Sequence, residues 1–507
     1  MLGYCQLDVT GGEKTMSEYD VIIKGGTIID GLLTPGYVSD MAIKDGKIAQ
    51  IGGLRHSSAS KVLDASGLIV APGFVDLHTL YDAQIQWDPY LTLSGWHGVT
   101  TVAIGNCGFG FARCRPEDRE RAMQSLTRNE AIPYDAMRLG MSWDWVTFPE
   151  FLDRMQHRVP KGVNMISYVP LTPIYTWVMG WDESKRRRPT EDELKEMCRL
   201  VEEGIAAGGC GWSAQVSGPN SAQRDYDGTP MVTDLMTDEE ILTFGRLLAE
   251  LDQGFIQLTY NTTGDDGSRL DEPTLDFFAR LAEVCRRPIL YQLVTPSDDD
   301  PQQHRKKLRW LEESNHKGLK LYGQGFTVRT SQEFTFETWT NFDQSPHWRR
   351  VSIASLEEKK ANMRDPDVRA RLREENDNGL QPAATLTGPI ADMTVGEVGS
   401  GELERYIGLT IGQIAQQEGK HVIDVMLDIA VADDLRTEFL GRMVHTNPSH
   451  TAEVLKSPYC IPGLSDGGAH VKFATLGNFP TDTLTWLVRD EKMLSLEEAH
   501  NKLSFLP

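Results

Sequence analysis

The pattern of hydrophobic and polar residues divides the chain near residue 72. Before that point, short β-rich segments such as "YDVIIKGGTIID" alternate with Gly-Gly and Asp-Gly turn signals, which is typical of strands joined by tight turns. After it, buried apolar runs alternate with amphipathic segments of helical period. The pattern therefore predicts a small N-terminal β-sandwich over residues 19–71, followed by a larger α/β domain.

The second part contains eight apolar runs of strand length, at residues 73–78, 100–107, 164–169, 209–214, 254–260, 288–294, 320–325 and 461–466. Amphipathic helical segments lie between them. One of these segments follows Thr190 and carries Glu193 three residues later, a pairing that is typical of a helix N-terminus. Eight alternations of strand and helix favour a (β/α)8 TIM-like barrel over an open sheet.

The regular alternation stops at residues 326–400, which are rich in aromatic and charged residues. This segment predicts a helical insertion after strand seven, on the face where barrel enzymes have their active site. We interpret it as a lid subdomain, with a peripheral helical patch as the alternative. The barrel would then comprise residues 72–325 and 401–507, and residues 1–18 would be a disordered leader. No β-rich segment follows the last helix, so the sandwich is expected to keep an open edge, unless the chain is an incomplete product.

Composition and charge restrict the partners of the protein. The 507 residues carry a formal net charge of −22, which would repel nucleic acid and an anionic membrane. The seven cysteines form no C-x-x-C pair, as in a protein with reduced thiols. The sequence shows no basic segment followed by an apolar run, which is the pattern of a secretion signal. We therefore predict a cytoplasmic protein with a small-molecule partner and with neither nucleic acid nor membrane, while the oligomeric state stays open.

Three polar side chains stand at the ends of predicted strands. His78 ends the first strand, Cys107 the second and Asp466 the eighth. Because the carboxyl ends of barrel strands face the active site, these residues are expected to meet. Each of them alone is more commonly a structural residue. Together, an imidazole, a thiolate and a carboxylate are suitable ligands for zinc, so the three residues predict a metal site.

Three segments resemble the amidohydrolase superfamily, in particular its D-aminoacylase branch (the N-acyl-D-amino-acid deacylases). They are "APGFVDLHTLYD", "WHGVTTVAIGNCGFGFA" and "GLSDGGAH". The resemblance implies that His78 and Cys107 bind zinc, and that Asp466 binds the metal and acts as the catalytic proton acceptor. It also places His470 near the substrate, although this residue would equally suit a helix N-terminus without a catalytic role. The implied activity is hydrolysis of the amide bond of an N-acyl amino acid by a metal-activated water, with a small-molecule amide as substrate.

The chain also departs from the family pattern. Leu80 occupies the place of the second histidine in the H-x-H motif, and leucine cannot bind a metal. Strands five and six, which supply histidines in D-aminoacylases, offer Gln257, Tyr260 and Gln292 instead. Amide and phenol oxygens are poor zinc ligands compared with imidazole. The resemblance therefore implies one weakly bound zinc ion, with Tyr260 and Gln292 as substrate-binding residues.

These departures leave three functions open. They are hydrolysis of an N-acyl amino acid, hydrolysis of a different (cyclic or natural-product) amide on the same scaffold, and a non-catalytic relative with a degraded metal site. Three arginines in or near the insertion could hold a substrate carboxylate or could simply be solvated: Arg329, Arg349 and Arg350. His304 lies in a basic helical stretch and is expected at the surface. The sequence does not fix the identity or the stereochemistry of the substrate.

Overall fold

The computed structural model describes residues 17–260, 271–338, 342–343, 345–379, 388–474 and 476–507. The chain forms two compact units. The smaller unit comprises the described residues up to Pro72 together with Leu496–Asn501, and the larger unit comprises Gly73–Ser495 and Lys502–Pro507. Apart from residues 17 and 18, the predicted leader lies outside the described residues.

The smaller unit is built on one five-stranded sheet. Its strands are β1 (Tyr19–Ile28), β2 (Tyr37–Lys44), β3 (Lys47–Ile51), β4 (Ala59–Asp64) and β5 (Ile69–Val70). β1 pairs antiparallel with β2 and parallel with both β4 and β5, and β2 pairs antiparallel with β3. Asp45 and Gly46 both have positive φ in the β2–β3 turn, as a tight Asp-Gly hairpin requires. A second sheet is not among the described residues of this unit, so the β-sandwich stays a prediction.

The larger unit carries the remaining strands. They are β6 (Phe74–Asp76), β7 (His78–Thr79), β8 (Val99–Ile104), β9 (Asn164–Ser167), β10 (Val169–Pro170), β11 (Gly211–Val216), β12 (Phe255–Tyr260), β13 (Ile289–Val294), β14 (Leu321–Gly325), β15 (Glu333–Phe334), β16 (Thr394–Val395), β17 (Phe439–Leu440), β18 (Cys460–Pro462) and β19 (Leu464–Gly467). Each of the eight apolar runs in the sequence overlaps one of these strands. The mixed α/β class is therefore confirmed.

Parallel pairs join these strands in sequence order. β6 pairs with β8 and β8 with β9, while β10 pairs with β11. The series continues from β11 through β12, β13 and β14 to β18. β9 and β10 are separated by Tyr168 alone, and β18 and β19 by Gly463 alone. The last pair joins β19 to β7, with Leu464 opposite His78.

Helices follow most of the parallel strands. They are α1 (Thr92–Trp96), α2 (Arg119–Asn129), α3 (Tyr134–Gly140), α4 (Phe148–His157), α5 (Leu171–Met179), α6 (Trp181–Arg186), α7 (Glu191–Ala206), α8 (Asp238–Leu251), α9 (Glu272–Cys285), α10 (Pro301–His316), α11 (Pro346–Ser352), α12 (Leu356–Arg364), α13 (Pro366–Asp377), α14 (Ile411–Glu418), α15 (Val422–Ala432), α16 (Pro448–Lys456), α17 (Phe479–Asp482) and α18 (Leu496–His500). The predicted cap of α7 is present, because Thr190 accepts the N–H of Glu193 and Glu193 accepts the N–H of Thr190. Across the described ranges, no helix is both long enough and apolar enough to span a membrane.

The side-chain alternation of the parallel strands separates a core from a polar face. Large side chains such as Trp212 and Tyr291 are fully buried in the hydrophobic core of the larger unit. Along β12, Ile256 and Leu258 belong to this core. Gln257 and Thr259 alternate with them along β12, so their side chains point to the opposite face of the strand. That opposite face of β12 carries the polar groups of the site described below.

The segment inserted after β14 has a small sheet and a hydrophobic core of its own. β17 pairs antiparallel with both β15 and β16. Phe336, Trp348 and Met426 are fully buried in a separate cluster with their neighbours. Because α14, α15 and β17 contribute residues to this cluster, the inserted layer continues as far as Leu440. The boundary predicted at residue 400 therefore falls inside this layer, and its role as a lid stays a prediction.

Candidate active site

Three of the predicted strand-end residues lie together. His78 is the first residue of β7, Cys107 follows β8 in a short 3₁₀ turn, and Asp466 lies in β19. Nε2 of His78 is 3.4 Å from Sγ of Cys107 and 3.3 Å from Oδ1 of Asp466. One imidazole therefore contacts both the thiol and the carboxyl group.

The Gly-Asn-Cys-Gly turn directs the thiol toward His78. Gly105 has a φ of 75°, and a Cβ at this position would lie 2.8 Å from the carbonyl oxygen of Tyr168, so glycine is required. Asn106 donates through its side-chain amide to backbone carbonyls of β7 and β8. Cys107 has a φ of 56°, a left-handed conformation that costs an L-residue about 1–2 kcal/mol. The hydrogen bonds of Asn106 hold the backbone in this conformation.

A glutamine fixes the orientation of the imidazole. Nδ1 of His78 lies 3.0 Å from Oε1 of Gln324, which comes from β14. Because an amide oxygen only accepts hydrogen bonds, Nδ1 carries the proton in this contact. Nε2 therefore presents its lone pair to Cys107 and Asp466. This tautomer suits a histidine that accepts a proton or binds a metal through Nε2.

Burial sets the protonation of the site. His78 is fully buried, and this lowers the pKa of its imidazole to about 4. Burial and the nearby charge of Asp76 raise the pKa of Asp466 to about 7. Burial and the charge of Glu130 raise the pKa of the Cys107 thiol above its usual value. Near neutral pH the isolated protein thus holds a neutral imidazole, a neutral thiol and a carboxyl group close to its midpoint of ionisation.

Side chains from strands five and six place amides beside the thiol. Oε1 of Gln257 accepts the N–H of Cys107 at 2.7 Å. Nε2 of Gln257 donates to Oε1 of Gln292 at 3.0 Å, and the hydroxyl of Thr259 donates to the same oxygen. That oxygen also lies 3.5 Å from Sγ of Cys107. Gln292 therefore lies beside Cys107, within a network of hydrogen bonds that also includes Gln257 and Thr259, and its predicted role in binding substrate stays a prediction.

A buried carboxyl group that the sequence did not reveal lies beside His470. Glu130 is 1% exposed, and Nε2 of His470 is 3.2 Å from its Oε2. The backbone N–H of His470 donates to the carbonyl of Glu130 at 2.7 Å. Glu130 follows α2 and stands at no strand end, so the rule that revealed the other residues could not find it. Its position directly before the apolar segment "AIP" was the signal in the sequence that could have indicated its burial. His470 is thus held by Glu130, whose charge contributes to the raised pKa of the Cys107 thiol, and its predicted contact with the substrate stays a prediction.

Tyr260 does not join the other predicted residues. It is on the opposite face of β12 from Gln257 and Thr259. Its hydroxyl donates to Oδ1 of Asp238 at 2.8 Å, and its ring stacks on Phe277 with 4.2 Å between centroids. The phenol is therefore occupied in the helix layer. The prediction that Tyr260 contacts the substrate fails because the side chains of a strand alternate between its two faces.

The expected surface position of His304 is wrong. The residue is fully buried on α10, and its Nε2 lies 3.1 Å from Oε2 of Glu453. Its Nδ1 accepts the N–H of Ser297 at 3.1 Å. The basic residues Lys306 and Arg309 lie on the exposed side of the same helix. The basic residues of this segment thus suggested an exposed position, although His304 lies on the buried face of the helix.

The chain is similar in sequence to several known proteins. No family model matches the sequence. An uncharacterized protein of Mycobacterium tuberculosis is 27% identical over 505 residues, which cover 94% of this chain and 78% of that protein. The D-aminoacylase of Alcaligenes xylosoxydans xylosoxydans is 33% identical over 205 residues, 40% of this chain and 39% of that enzyme.

Solved structures extend the comparison to the fold. A D-aminoacylase structure superposes with a TM-score of 0.61 at 20% identity, covering 96% of this chain and 85% of the other. The chain has the fold of the D-aminoacylases. The N-acyl-D-glutamate deacylase of Bordetella bronchiseptica, solved with zinc and a phosphonate inhibitor, superposes with the same TM-score at 19% identity and with the same coverage. The predicted resemblance to the D-aminoacylase branch of the amidohydrolase superfamily is confirmed.

On this D-aminoacylase fold, the residues at the expected ligand positions differ in their chemistry. Leu80 is buried, and its backbone N–H donates to the carbonyl of Gly467. Gln257 and Gln292 occupy strands five and six beside Cys107. Leucine offers no donor atom, and the glutamine oxygens are already engaged as hydrogen-bond acceptors. The donors that remain beside His78 are a thiol and a carboxyl group.

These donors have part of the geometry of a zinc site. Zinc bonds of 2.0–2.3 Å in a tetrahedron place neighbouring ligand atoms roughly 3.3–3.7 Å apart, and the two distances from His78 have this length. Gln324 holds the other ring nitrogen, as is usual for a metal-binding histidine. Among the described residues, however, no group of three or more His, Cys, Asp and Glu side chains is arranged so that it could hold a metal ion. The site thus has the donor types and two of the spacings of a zinc site, without a complete set of three residues.

Proposed function

We propose that this chain is an amidohydrolase that cleaves the amide bond of an N-acyl amino acid. The observation that carries the proposal is the contact of His78 with Cys107 and Asp466 at the strand ends of a D-aminoacylase fold. The sequence match to a D-aminoacylase supports the type of bond. The acyl group and the side chain of the substrate are not specified by that match.

We also infer that the eight parallel strands close into a barrel. The pairing of β19 with β7, with Leu464 opposite His78, supports this arrangement because it joins the last strand to the first. Closure would place the carboxyl ends of all the strands around one mouth. The single mouth explains why residues far apart in sequence meet.

The donors that a zinc ion would use are His78, Cys107 and Asp466, and as they stand only the two contacts of His78 have the spacing of zinc ligands, so zinc binding requires Cys107 and Asp466 to move closer together. When bound, zinc would polarise the amide carbonyl and lower the pKa of a water molecule. The carboxylate of Asp466 accepts the proton of the attacking water and returns it to the leaving nitrogen. Gln324 keeps Nε2 of His78 directed at this region, and Gln257 holds the backbone N–H of Cys107.

Metal analysis combined with an amide series tests the proposal. Purified protein should contain zinc and should hydrolyse N-acetyl-D-amino acids, and a chelator should reduce both until zinc is restored. Cys107→Ala should lower zinc content and turnover together, because it removes a sulfur ligand. Cys285→Ala, at a buried cysteine of α9, is the matched control and should change neither. Absence of zinc together with no turnover across the acyl series would contradict the proposal.

Replacing Gln324 with leucine should lower zinc affinity and kcat/KM without changing the charge of the site. The substitution removes the acceptor of the His78 Nδ1–H, so the imidazole loses its fixed direction. Loss of such a partner typically lowers metal affinity or activity by about 10–100-fold, and we expect a decrease of that size in both zinc affinity and kcat/KM. Gln417→Leu, on the exposed face of α14, is the control. Wild-type values for Gln324→Leu would show that the hydrogen bond does not position the ring.

A second candidate function is a non-catalytic protein that binds its ligand without cleaving it. The observation in its favour is the network of Gln257, Thr259 and Gln292, whose hydrogen bonds satisfy one another where the family has histidines. Calorimetric binding of N-acetyl-D-amino acids, measured beside their hydrolysis, separates the two functions. Saturable binding without any released amine, at any zinc concentration, would favour this candidate.

A further inference from the structure

Gln292 directs its amide oxygen into the site and leaves its amide nitrogen without a protein partner. Oε1 accepts the N–H of Gln257 at 3.0 Å and the hydroxyl of Thr259, and it lies 3.5 Å from Sγ of Cys107. Nε2 donates to none of the described protein groups, and this nitrogen keeps access to solvent. Because Oε1 is turned toward β12 and the thiol, the N–H bonds of Nε2 point to the open side of the residue.

A second amide nitrogen without a partner belongs to the neighbouring strand. Gln324 is opposite Gln292 in the parallel pair of β13 with β14, so both side chains project from the same face of the sheet. Gln324 is 1% exposed, its Oε1 holds Nδ1 of His78, and its Nε2 has no hydrogen-bond partner among the described residues. A buried donor in this state is unfavourable unless a ligand accepts its hydrogen. Adjacent strands thus both carry unpaired N–H groups.

An acceptor and a donor are both accessible close to the thiol. Sγ of Cys107 contacts Gln292 directly, and it also contacts His78, which in turn contacts the carboxyl group of Asp466. The side chain of Asp466 is 19% exposed. An amide that lies over Cys107 therefore has the proton acceptor of the proposed reaction on the Asp466 side and N–H groups on the Gln292 side.

A negative charge that develops at this site has amide groups as its neighbours. In the described part of the chain, no lysine or arginine forms a hydrogen bond or ion pair with His78, Cys107 or Asp466. When water adds to an amide, the carbonyl oxygen gains negative charge, and donors that are fixed in advance at that oxygen stabilise the charge. The unpaired side-chain donors that the chain offers here are those of Gln292 and Gln324.

We propose that Nε2 of Gln292 donates a hydrogen bond to the carbonyl oxygen of the scissile amide, with Nε2 of Gln324 as a second donor. The inference rests on the proposed function and names a catalytic residue for it. Water adds to the carbonyl carbon, its proton passes to Asp466, and the electron pair of the C=O bond moves to the oxygen that Gln292 holds. The bonds from Gln257 and Thr259 fix this amide before the reaction begins. When the C–N bond breaks, the electron pair returns and the leaving nitrogen takes the proton.

Two substitutions of Gln292 separate its donor from its acceptor. Gln292→Glu keeps an oxygen for Gln257 and Thr259 but replaces the NH2 group. Gln292→Met has nearly the same length, is neutral and lacks both. Because each variant loses the donor, kcat for N-acetyl-D-alanine should fall by about 100–1000-fold in both, as for other single donors to an oxyanion. Gln417→Glu, on the exposed face of α14, adds the same charge elsewhere and should keep wild-type kinetics.

A tetrahedral analogue gives a readout that does not depend on turnover. N-methylphosphonyl-D-alanine presents anionic oxygens where N-acetyl-D-alanine has a planar carbonyl. In calorimetry, both variants should bind the phosphonyl compound about 100-fold more weakly, in step with kcat/KM, and N-acetyl-D-alanine within about threefold of wild type. Zinc content per chain should be unchanged, so that the loss belongs to the donor and not to the metal.

Several results would overturn the inference. They are wild-type kcat in either variant, an equal loss of affinity for both ligands, a fall in zinc content that matches the fall in kcat, and no binding of the phosphonyl compound by the wild-type protein. If one variant does not fold, as judged by thermal unfolding, the other carries the test. Hydrolysis that survives the loss of Gln292 contradicts this inference alone. Binding of the phosphonyl compound that depends on Gln292, in a wild-type protein without turnover, contradicts the proposed function alone.

Discussion

Replacing Asp466 with asparagine is expected to lower kcat/KM for N-acyl amino acid hydrolysis by about a thousandfold, within the range for loss of a general base. Asparagine has nearly the same shape, but its amide cannot accept a proton from water. The side chain is 19% exposed, and its partial burial raises the pKa of the carboxyl group to about 7, so the substitution removes no strongly ionised group from the folded protein. The fold is therefore expected to persist, and the loss should appear in kcat.

The measurement is steady-state hydrolysis of an N-acetyl-D-amino acid, with thermal unfolding as the test of folding. Asp135→Asn, at an aspartate whose side chain is 79% exposed, is the matched control and should keep wild-type activity. A decrease of less than about tenfold in Asp466→Asn would show that this carboxylate is not the proton acceptor.

Replacing Gln292 with histidine is expected to raise zinc affinity by about tenfold or more, because imidazole is a far better zinc ligand than an amide. Oε1 of Gln292 lies 3.5 Å from Sγ of Cys107, so the new ring would stand beside a thiol that itself contacts His78. The change also removes the acceptor shared by Gln257 and Thr259. Leaving a buried donor unpaired costs about 1–3 kcal/mol, so a lower unfolding temperature should accompany the gain in affinity.

Competition with a chromophoric chelator measures this affinity. Gln417→His, on the exposed face of α14, controls for the addition of a histidine anywhere on the protein. An equal gain in both variants would indicate binding at the surface. No gain in Gln292→His would mean that Cys107 and His78 do not act as ligands.

The framework of the larger unit was predictable because its strands are buried on both faces. Fully buried parallel strands form continuous apolar runs, and all eight runs overlap strands in the structure. The cap at Thr190 was equally readable, since it depends on two residues in local sequence. The extent of the inserted layer was not predictable from the sequence, because β17 pairs with β15 across more than one hundred residues.

The site was predictable as far as the strand-end rule applies. His78, Cys107 and Asp466 stand where strands end, and they meet. Glu130 lies in a loop and Gln324 inside β14, so each required knowledge of tertiary contacts. Tyr260 also lies at the end of a strand, but its side chain points away from the site and its hydroxyl donates to Asp238. The position of a residue along a strand therefore predicts its contacts only when the face of the strand is also known.

Three residues of the site share a backbone conformation that disfavours their side chains. Cys107, Asp466 and His470 have φ values of 56°, 48° and 53°. Each such position costs about 1–2 kcal/mol, and glycine would relieve the cost while deleting the functional group. Directed evolution for heat resistance alone would therefore tend to replace these residues. A thermostabilised variant selected in that way should be screened for turnover at every round.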